Sequence, residues 1–163
     1  MTSSELQRRS VGVPGPAGSR RRGSTLIELM FVLVVVGVLA TLAYPAYAEA
    51  VRKARRAEAR AQLLETMQYM QLFYSENDRY DQARGESRST VLPDAYARVP
   101  RTGMQTYRIG LPPAALGPSS YRLHAEPVGA MTNDRCGTLT LDSVGRRGIV
   151  DAQPGLTVEA CWR

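Results

Sequence analysis

Charge leaves the chain after Glu28 and does not return until Glu49, so Leu29 to Ala48 is a run of 20 uncharged residues. A helix of that length rises about 30 Å at about 1.5 Å per residue, the depth of a bilayer's hydrocarbon core. The many valines would suit a strand as well. Length decides for helix, because lipid leaves no partner for a lone strand's backbone. From Glu49 the pattern changes without a break. Ala54, Ala57, Ala61, Leu64, Met67, Met70 and Tyr74 recur at intervals of three and four, the period of one helix face. No Gly or Pro interrupts 46–76. One helix is therefore predicted from about 24 to 76, roughly 80 Å long. Its first half is lipid-soluble and its second half packs on a domain. Pro45, near the junction, is expected to kink it.

Residues 77–105 are polar and turn-rich, with Asn77, Gly85, Pro93, Pro100 and Gly103, and read as a long surface loop. Short strand-like runs follow at Thr106–Ile109, Ser120–Ala125, Cys136–Leu141, Gly148–Val150 and Leu156–Trp162. Pro112-Pro113, Gly117-Pro118, Asn133-Asp134 and Gly145 separate them. Tyr121, Leu123 and Ala125 alternate with polar neighbours, as Leu139 and Leu141 do with Thr138 and Thr140. This predicts an antiparallel sheet of four or five strands with one face on the helix. The expected class is α+β, and no internal repeat is visible.

Charge sharpens this picture only after it is divided. The formal net charge is +6. Residues 1–23 hold five arginines against one glutamate, whereas 24–163 hold 16 basic and 14 acidic side chains. Most of the basic character thus sits in a Ser-, Gly-, Pro- and Arg-rich leader with no helix or strand period. Arg52 to Arg60 form a local cluster that could meet lipid phosphates or DNA. Interleaved Glu49 and Glu58 favour a salt-bridged, solvated helix face instead. Nucleic acid as a partner is possible on this reading but unsupported.

Candidate chemistry is sparse. His124, the one histidine, lies in a strand-like run, outward relative to Leu123. No phosphate loop, Cys/His metal spacing or nucleophile elbow is present, so no enzyme, cofactor or metal centre is expected. Two cysteines, Cys136 and Cys161, permit one bridge, and beside an export signal they favour a disulfide; two buried free thiols are the alternative.

The most informative stretch is Arg20-Arg21-Arg22-Gly23-Ser24-Thr25-Leu26-Ile27-Glu28, followed by Gly37 and Pro45. A charged carboxylate in a membrane helix costs a few kcal/mol, so something must recover it. Thr25-Leu26-Ile27-Glu28 also fits the S/T-x-x-E capping box, and that role stays open. A secretory signal cut after Ala46-Tyr47-Ala48 is a further alternative, although the apolar run exceeds the usual ~7–15 residues. The stretch resembles the class III leader of type IV pilins and pseudopilins, with Ser24 where that family usually has Phe. The resemblance implies cleavage between Gly23 and Ser24 by prepilin peptidase and methylation of the new Ser24 amine. Glu28 is then the fifth mature residue, paired with a neighbour's α-amine during assembly.

Further on, Tyr74-Ser75-Glu76-Asn77-Asp78-Arg79-Tyr80, the Cys136-Gly137-Thr138 segment and Cys161-Trp162-Arg163 resemble PilE-like minor pilins of the type IVa pilus. That likeness implies a Cys136–Cys161 disulfide, pinning the last strand of the sheet. The organisation expected is a cleaved leader (1–23), a transmembrane and filament-core helix (24–48), and an extracytoplasmic globular domain (49–163). Such a protein starts in the inner membrane and ends in an extracellular pilus serving motility, adhesion or DNA uptake. Its implied partners are other pilin subunits, prepilin peptidase, the inner-membrane assembly machinery and, before assembly, the membrane. The alternatives are a type II secretion pseudopilin and a membrane-tethered binding module that never polymerises.

Overall fold

The computed structural model describes residues 25–163. Gly23 and Ser24, the expected cleavage pair, lie outside the described residues. The described residues divide into two units, one ending at Thr41 and the other running from Leu42 to Arg163. Helix α1, Leu26–Asn77, begins in the first and continues into the second. Thr25 caps it: its hydroxyl accepts the Glu28 amide at 3.3 Å, satisfying one of the free first-turn donors. From 25 to 41 every side chain is exposed, although most are apolar. By length and composition the helix can cross a bilayer. Pro45 lies inside α1 and contributes no backbone donor there.

α1 ends at a left-handed residue. Asp78 takes φ 59° and its amide reaches the Tyr74 carbonyl at 2.8 Å. Asp tolerates this conformation because its short side chain can hydrogen-bond locally. Beyond it, 77–105 is more than a surface loop. It holds a short helix α2 (Asp94–Ala97) and a strand β1 (Arg98–Val99), and it buries Leu92 and Val99. Tyr96 stacks on Tyr69 with ring centroids 4.5 Å apart. Its carbonyl accepts the Thr66 hydroxyl at 3.3 Å.

Strands β2 (Tyr107–Gly110), β3 (Arg122–Pro127), β4 (Thr138–Asp142) and β5 (Arg147–Val150) complete a five-stranded antiparallel sheet in the order β1-β2-β3-β4-β5. The fold is α+β, a long N-terminal helix packed on this sheet. Period-two alternation sends Tyr107, Ile109, Leu123, Ala125, Leu139 and Leu141 inward. The register aligns Ile109, Ala125, Leu139 and Ile149 in one row across four strands. Ala59, Leu63 and Met70 of α1 belong to the same core.

Two expectations are corrected. Leu156–Trp162 is not a strand: α3, Val158–Trp162, is a short helix. Thr157 caps it by accepting the Ala160 amide at 3.2 Å. Val158, Cys161 and Trp162 fall at the i, i+3, i+4 spacing of a helix. The buried face of α1 is also not the alanine row. Ala54, Ala57, Ala61 and Leu64 are exposed, and the buried residues are Arg56, Ala59, Gln62, Leu63, Thr66 and Met70.

The reason is a buried ion pair. The Arg56 guanidinium grips the Asp134 carboxylate in a fork, with Nη2 to Oδ1 at 2.7 Å and Nε to Oδ2 at 2.9 Å. The Tyr107 hydroxyl donates to the same carboxylate at 2.9 Å. Glu49 adds a longer contact to Arg56 at 3.3 Å. Hydrogen bonding to Asp134 raises the Arg56 pKa. Burial, and then Asp134, push the Tyr107 phenol far above its ordinary value, so it stays a neutral donor.

Asp134→Ala strands a buried guanidinium and is expected to cost about 3–5 kcal/mol. Tyr107→Phe, which removes one donor, should cost about 1 kcal/mol. Replacing both charges together, Arg56→Met with Asp134→Leu, should lose less than Asp134→Ala alone. Urea unfolding of the subunit in mild detergent measures all three.

Candidate functional site

The expected site residues fall in separate places. Glu28 is exposed in the first turn of α1, beside the Thr25 cap. Among the described residues no bond runs from its carboxylate back to the Thr25 amide, so only the threonine half of a capping box is formed. Cys136 and Cys161 are joined, with Cα atoms 5.7 Å apart. The bridge ties the start of β4 to α3, a terminal helix and not a last strand. Beside it, Gly137 has φ 58°, and a Cβ there would lie 2.3 Å from the Val150 carbonyl. Only glycine permits that approach.

The Arg52–Arg60 cluster is mostly neutralised. Arg52 pairs with Glu49 at 3.9 Å, Arg55 with Glu58 at 3.1 Å, and Arg56 with Asp134. The expected salt-bridged face is present, but Arg56 is buried and not solvated. His124 is half-buried, and burial, then Arg122, lower its pKa. It faces Gly110 and Thr140 across the neighbouring strands.

Hydropathy did not reveal a second group of cations. Arg60 of α1 donates to the carbonyl of Arg163, and the Arg147 guanidinium lies 5.4 Å from the Trp162 ring centre. The Trp162 indole in turn donates to the Gly148 carbonyl at 3.0 Å. Burial, and then the nearby Arg147 and Arg56, lower the Arg60 pKa. Among the described residues no Asp or Glu side chain lies within 4.0 Å of Arg60, Arg122, Arg135 or Arg147. Their sequence signal was weak because they are scattered from 60 to 147 and only the fold gathers Arg60 with Arg147.

An apolar, capped N-terminal helix, a meander sheet and a disulfide-held C-terminal segment together define a type IV pilin. Residues 18–44 match the prokaryotic N-terminal methylation motif. Residues 45–140 match the family described as type IV minor pilin ComP, DNA uptake sequence receptor. The chain belongs to this family of filament subunits, a structural and non-enzymatic class.

Among curated proteins it is similar to the type IV major pilin protein PilA of Myxococcus xanthus, 37% identical over 67 residues. That alignment covers 41% of this chain and 30% of the relative. It is also similar to the type II secretion system core protein G of Pectobacterium carotovorum, 31% identical over 87 residues, covering 53% and 56%. The chain thus spans about a third of one and about half of the other. Among solved structures, a type IV pilin from Shewanella oneidensis is 25% identical with a TM-score of 0.40, covering 68% of this chain and 97% of that one. The non-core minor pilin PilV of Neisseria meningitidis is 18% identical with a TM-score of 0.43, covering 66% and 98%.

Cys161→Ser frees α3 and with it Trp162. The closed loop has a sequence separation of 25, for which the chain-entropy model gives about 3.5 kcal/mol. The measurable outcome is a lower Tm and a lower steady-state subunit level, with Cys136→Ser giving the same loss.

Proposed function

We infer that this chain is a minor pilin that contacts duplex DNA during pilus-mediated DNA uptake. The observation that carries this reading is the family match over residues 45–140. Arg60 and Arg147, which have no Asp or Glu side-chain partner among the described residues, support it physically, because DNA affinity rests largely on neutralising phosphates. Arg60 is held by the Arg163 carbonyl and Arg147 by the Trp162 ring, so both start partly ordered. The DNA-uptake role also gives a use to a subunit present in few copies along a filament.

In this account prepilin peptidase removes residues 1–23 and methylates Ser24. Residues 24–48 hold the subunit in the inner membrane with 49–163 outside, until assembly machinery passes it to other pilin subunits. Pro45 then gives α1 a place to bend, since its ring removes one helical hydrogen bond. Glu28 meets the free amine of a neighbour. A charge pair buried among apolar helices sets register more than it adds stability. Motility and adhesion have no support beyond the resemblance to pilins in general. A secretion pseudopilin, favoured by the likeness to core protein G, would carry the same leader but show no affinity for DNA.

Two outcomes test this. Glu28→Ala and Glu28→Gln should both insert in the membrane, since losing a charge eases insertion, yet both should enter sheared filaments poorly. Rescue by Gln would leave Glu28 only a cap. Fluorescence anisotropy with labelled duplex DNA tests the receptor role. Arg147→Ala should weaken binding to all sequences alike and reduce the slope of log K against log salt by about one. Absence of duplex binding at low salt would reject the DNA reading and favour the pseudopilin.

A further inference from the structure

One groove within residues 42–163 combines exposed apolar surface with positive charge. Tyr44, Tyr47 and Val51 of α1 line it, together with Met104 from the connection between β1 and β2. Its volume is about 340 Å³. Tyr44 is 73% exposed, Tyr47 69% and Met104 78%. Large apolar side chains left this open need a partner surface. Arg52 and Arg55 line the same groove.

The order of these residues along α1 is informative. Tyr44, Ala48 and Arg52 lie at i, i+4 and i+8, as do Tyr47, Val51 and Arg55. Two adjacent ridges of one helix face therefore both change from aromatic to cationic. They do so where the uncharged run, 29–48, ends. Arg52 leans toward the helix N-terminus and Glu49, on the side of the tyrosines, as helical side chains tend to, whereas Arg55 is turned toward Glu58 and lines the groove with its stem. Aromatic rings followed by arginines within about 12 Å match the layering of a membrane interface, acyl boundary first and phosphate next.

Charge selects the occupant. The apolar helix of a second copy offers Glu28 as the only acid between 25 and 48. It cannot answer two arginines beside an apolar groove. An anionic phospholipid layer supplies acyl chain and phosphate on a single surface. The ion pairs already present do not prevent this: Arg52–Glu49 is loose at 3.9 Å, and Arg55–Glu58, closer at 3.1 Å, is a surface pair with both side chains more than two-fifths exposed, the kind worth little in water.

We propose that this groove is an anionic-lipid site, through which the unassembled subunit lays the base of its globular unit on the membrane it is anchored in. Tyr44, Tyr47 and Met104 enter the boundary between headgroups and acyl chains, and Arg52 and Arg55 bind phosphates. The inference rests on the reading that residues 29–48 span the bilayer, and the experiment separates the two.

The full mature chain is placed one copy per nanodisc, in phosphatidylglycerol or phosphatidylcholine, with lipids brominated just below the headgroup. Met104→Trp reports on the groove, Phe31→Trp on the span, and the wild-type chain, with Trp162 alone, sets the background. The expected result is blue-shifted, strongly quenched Met104→Trp emission in phosphatidylglycerol and weaker quenching in phosphatidylcholine. Adding Arg52→Gln and Arg55→Gln should reduce quenching in phosphatidylglycerol to the neutral-lipid level. Three results overturn the proposal: water-like, unquenched Met104→Trp while the Phe31→Trp reporter is buried in lipid; equal quenching in both lipids; or quenching only when a disc holds two copies, which assigns the groove to a second subunit. Water-like Phe31→Trp emission would instead overturn the spanning segment itself.

Discussion

Everything in the globular unit is arranged around one arginine that cannot face water. Arg56 sits on the buried side of α1 and takes its neutralising charge from Asp134, 78 residues further on. A desolvated guanidinium is tolerable only with its charge answered and its donors directed. That requirement explains several separate facts. The 129–137 segment turns so that Asp134 points inward. Tyr107 is buried yet keeps a hydroxyl, which donates a second hydrogen bond to the carboxylate oxygen that also accepts Arg56 Nε. α1 is held at one rotation and one height on the sheet, since a fork of two nitrogens on two oxygens has little freedom. Hydrophobic contact through Leu63 and Met70 stabilises the packing, but apolar contact alone tolerates sliding.

This also explains what was readable from the chain and what was not. The long helix was legible, because 20 uncharged residues followed by a three-four period admit few alternatives. Two of the inner strands were legible from alternation, at Leu123–Ala125 and Leu139–Leu141, and a third from the strand-like run Thr106–Ile109. The rotation of α1 was not. Hydropathy assigns alanines and methionines inward and arginines outward, and here Arg56, Gln62 and Thr66 are inside while Ala57 and Ala61 are outside. A buried cation is invisible without its partner, and nothing local marks Asp134 as that partner. The C-terminal segment misled for another reason. Leu156-Thr157-Val158 has strand propensity, but Thr157 starts a helix and the Cys136–Cys161 bond fixes its far end, so tertiary constraint overrides propensity.

Cations outside the core divide by their partners. Arg52 is paired loosely and Arg55 closely, but both in solvent, at the end of the apolar run. Arg60 and Arg147 have no Asp or Glu side chain within reach among the described residues, and they gather where α1 meets the disulfide-held end of the chain. A run of basic residues that looked like one cluster in the sequence thus resolves into three environments: Arg56 buried on Asp134, Arg52 and Arg55 in surface pairs with glutamates, and Arg60 held by the backbone oxygen of Arg163 beside Arg147. The formal charge of +6 predicts none of these; partner geometry distinguishes them. For the nucleic-acid question in particular, the charge balance left DNA without support, and it is the family match over residues 45–140 that raises it.

The filament role ties these parts together. A minor pilin must exist twice, first as a membrane protein and then as one subunit in a helical bundle, and both states ask for the apolar helix and its single acid. The most direct measurement is the intact mass of this chain in filaments sheared from its native host. The account predicts a species starting at Ser24, heavier by one methyl group and lighter by the two hydrogens of the disulfide. A chain absent from filaments, or one starting at Glu49 after cleavage behind Ala48, would contradict it.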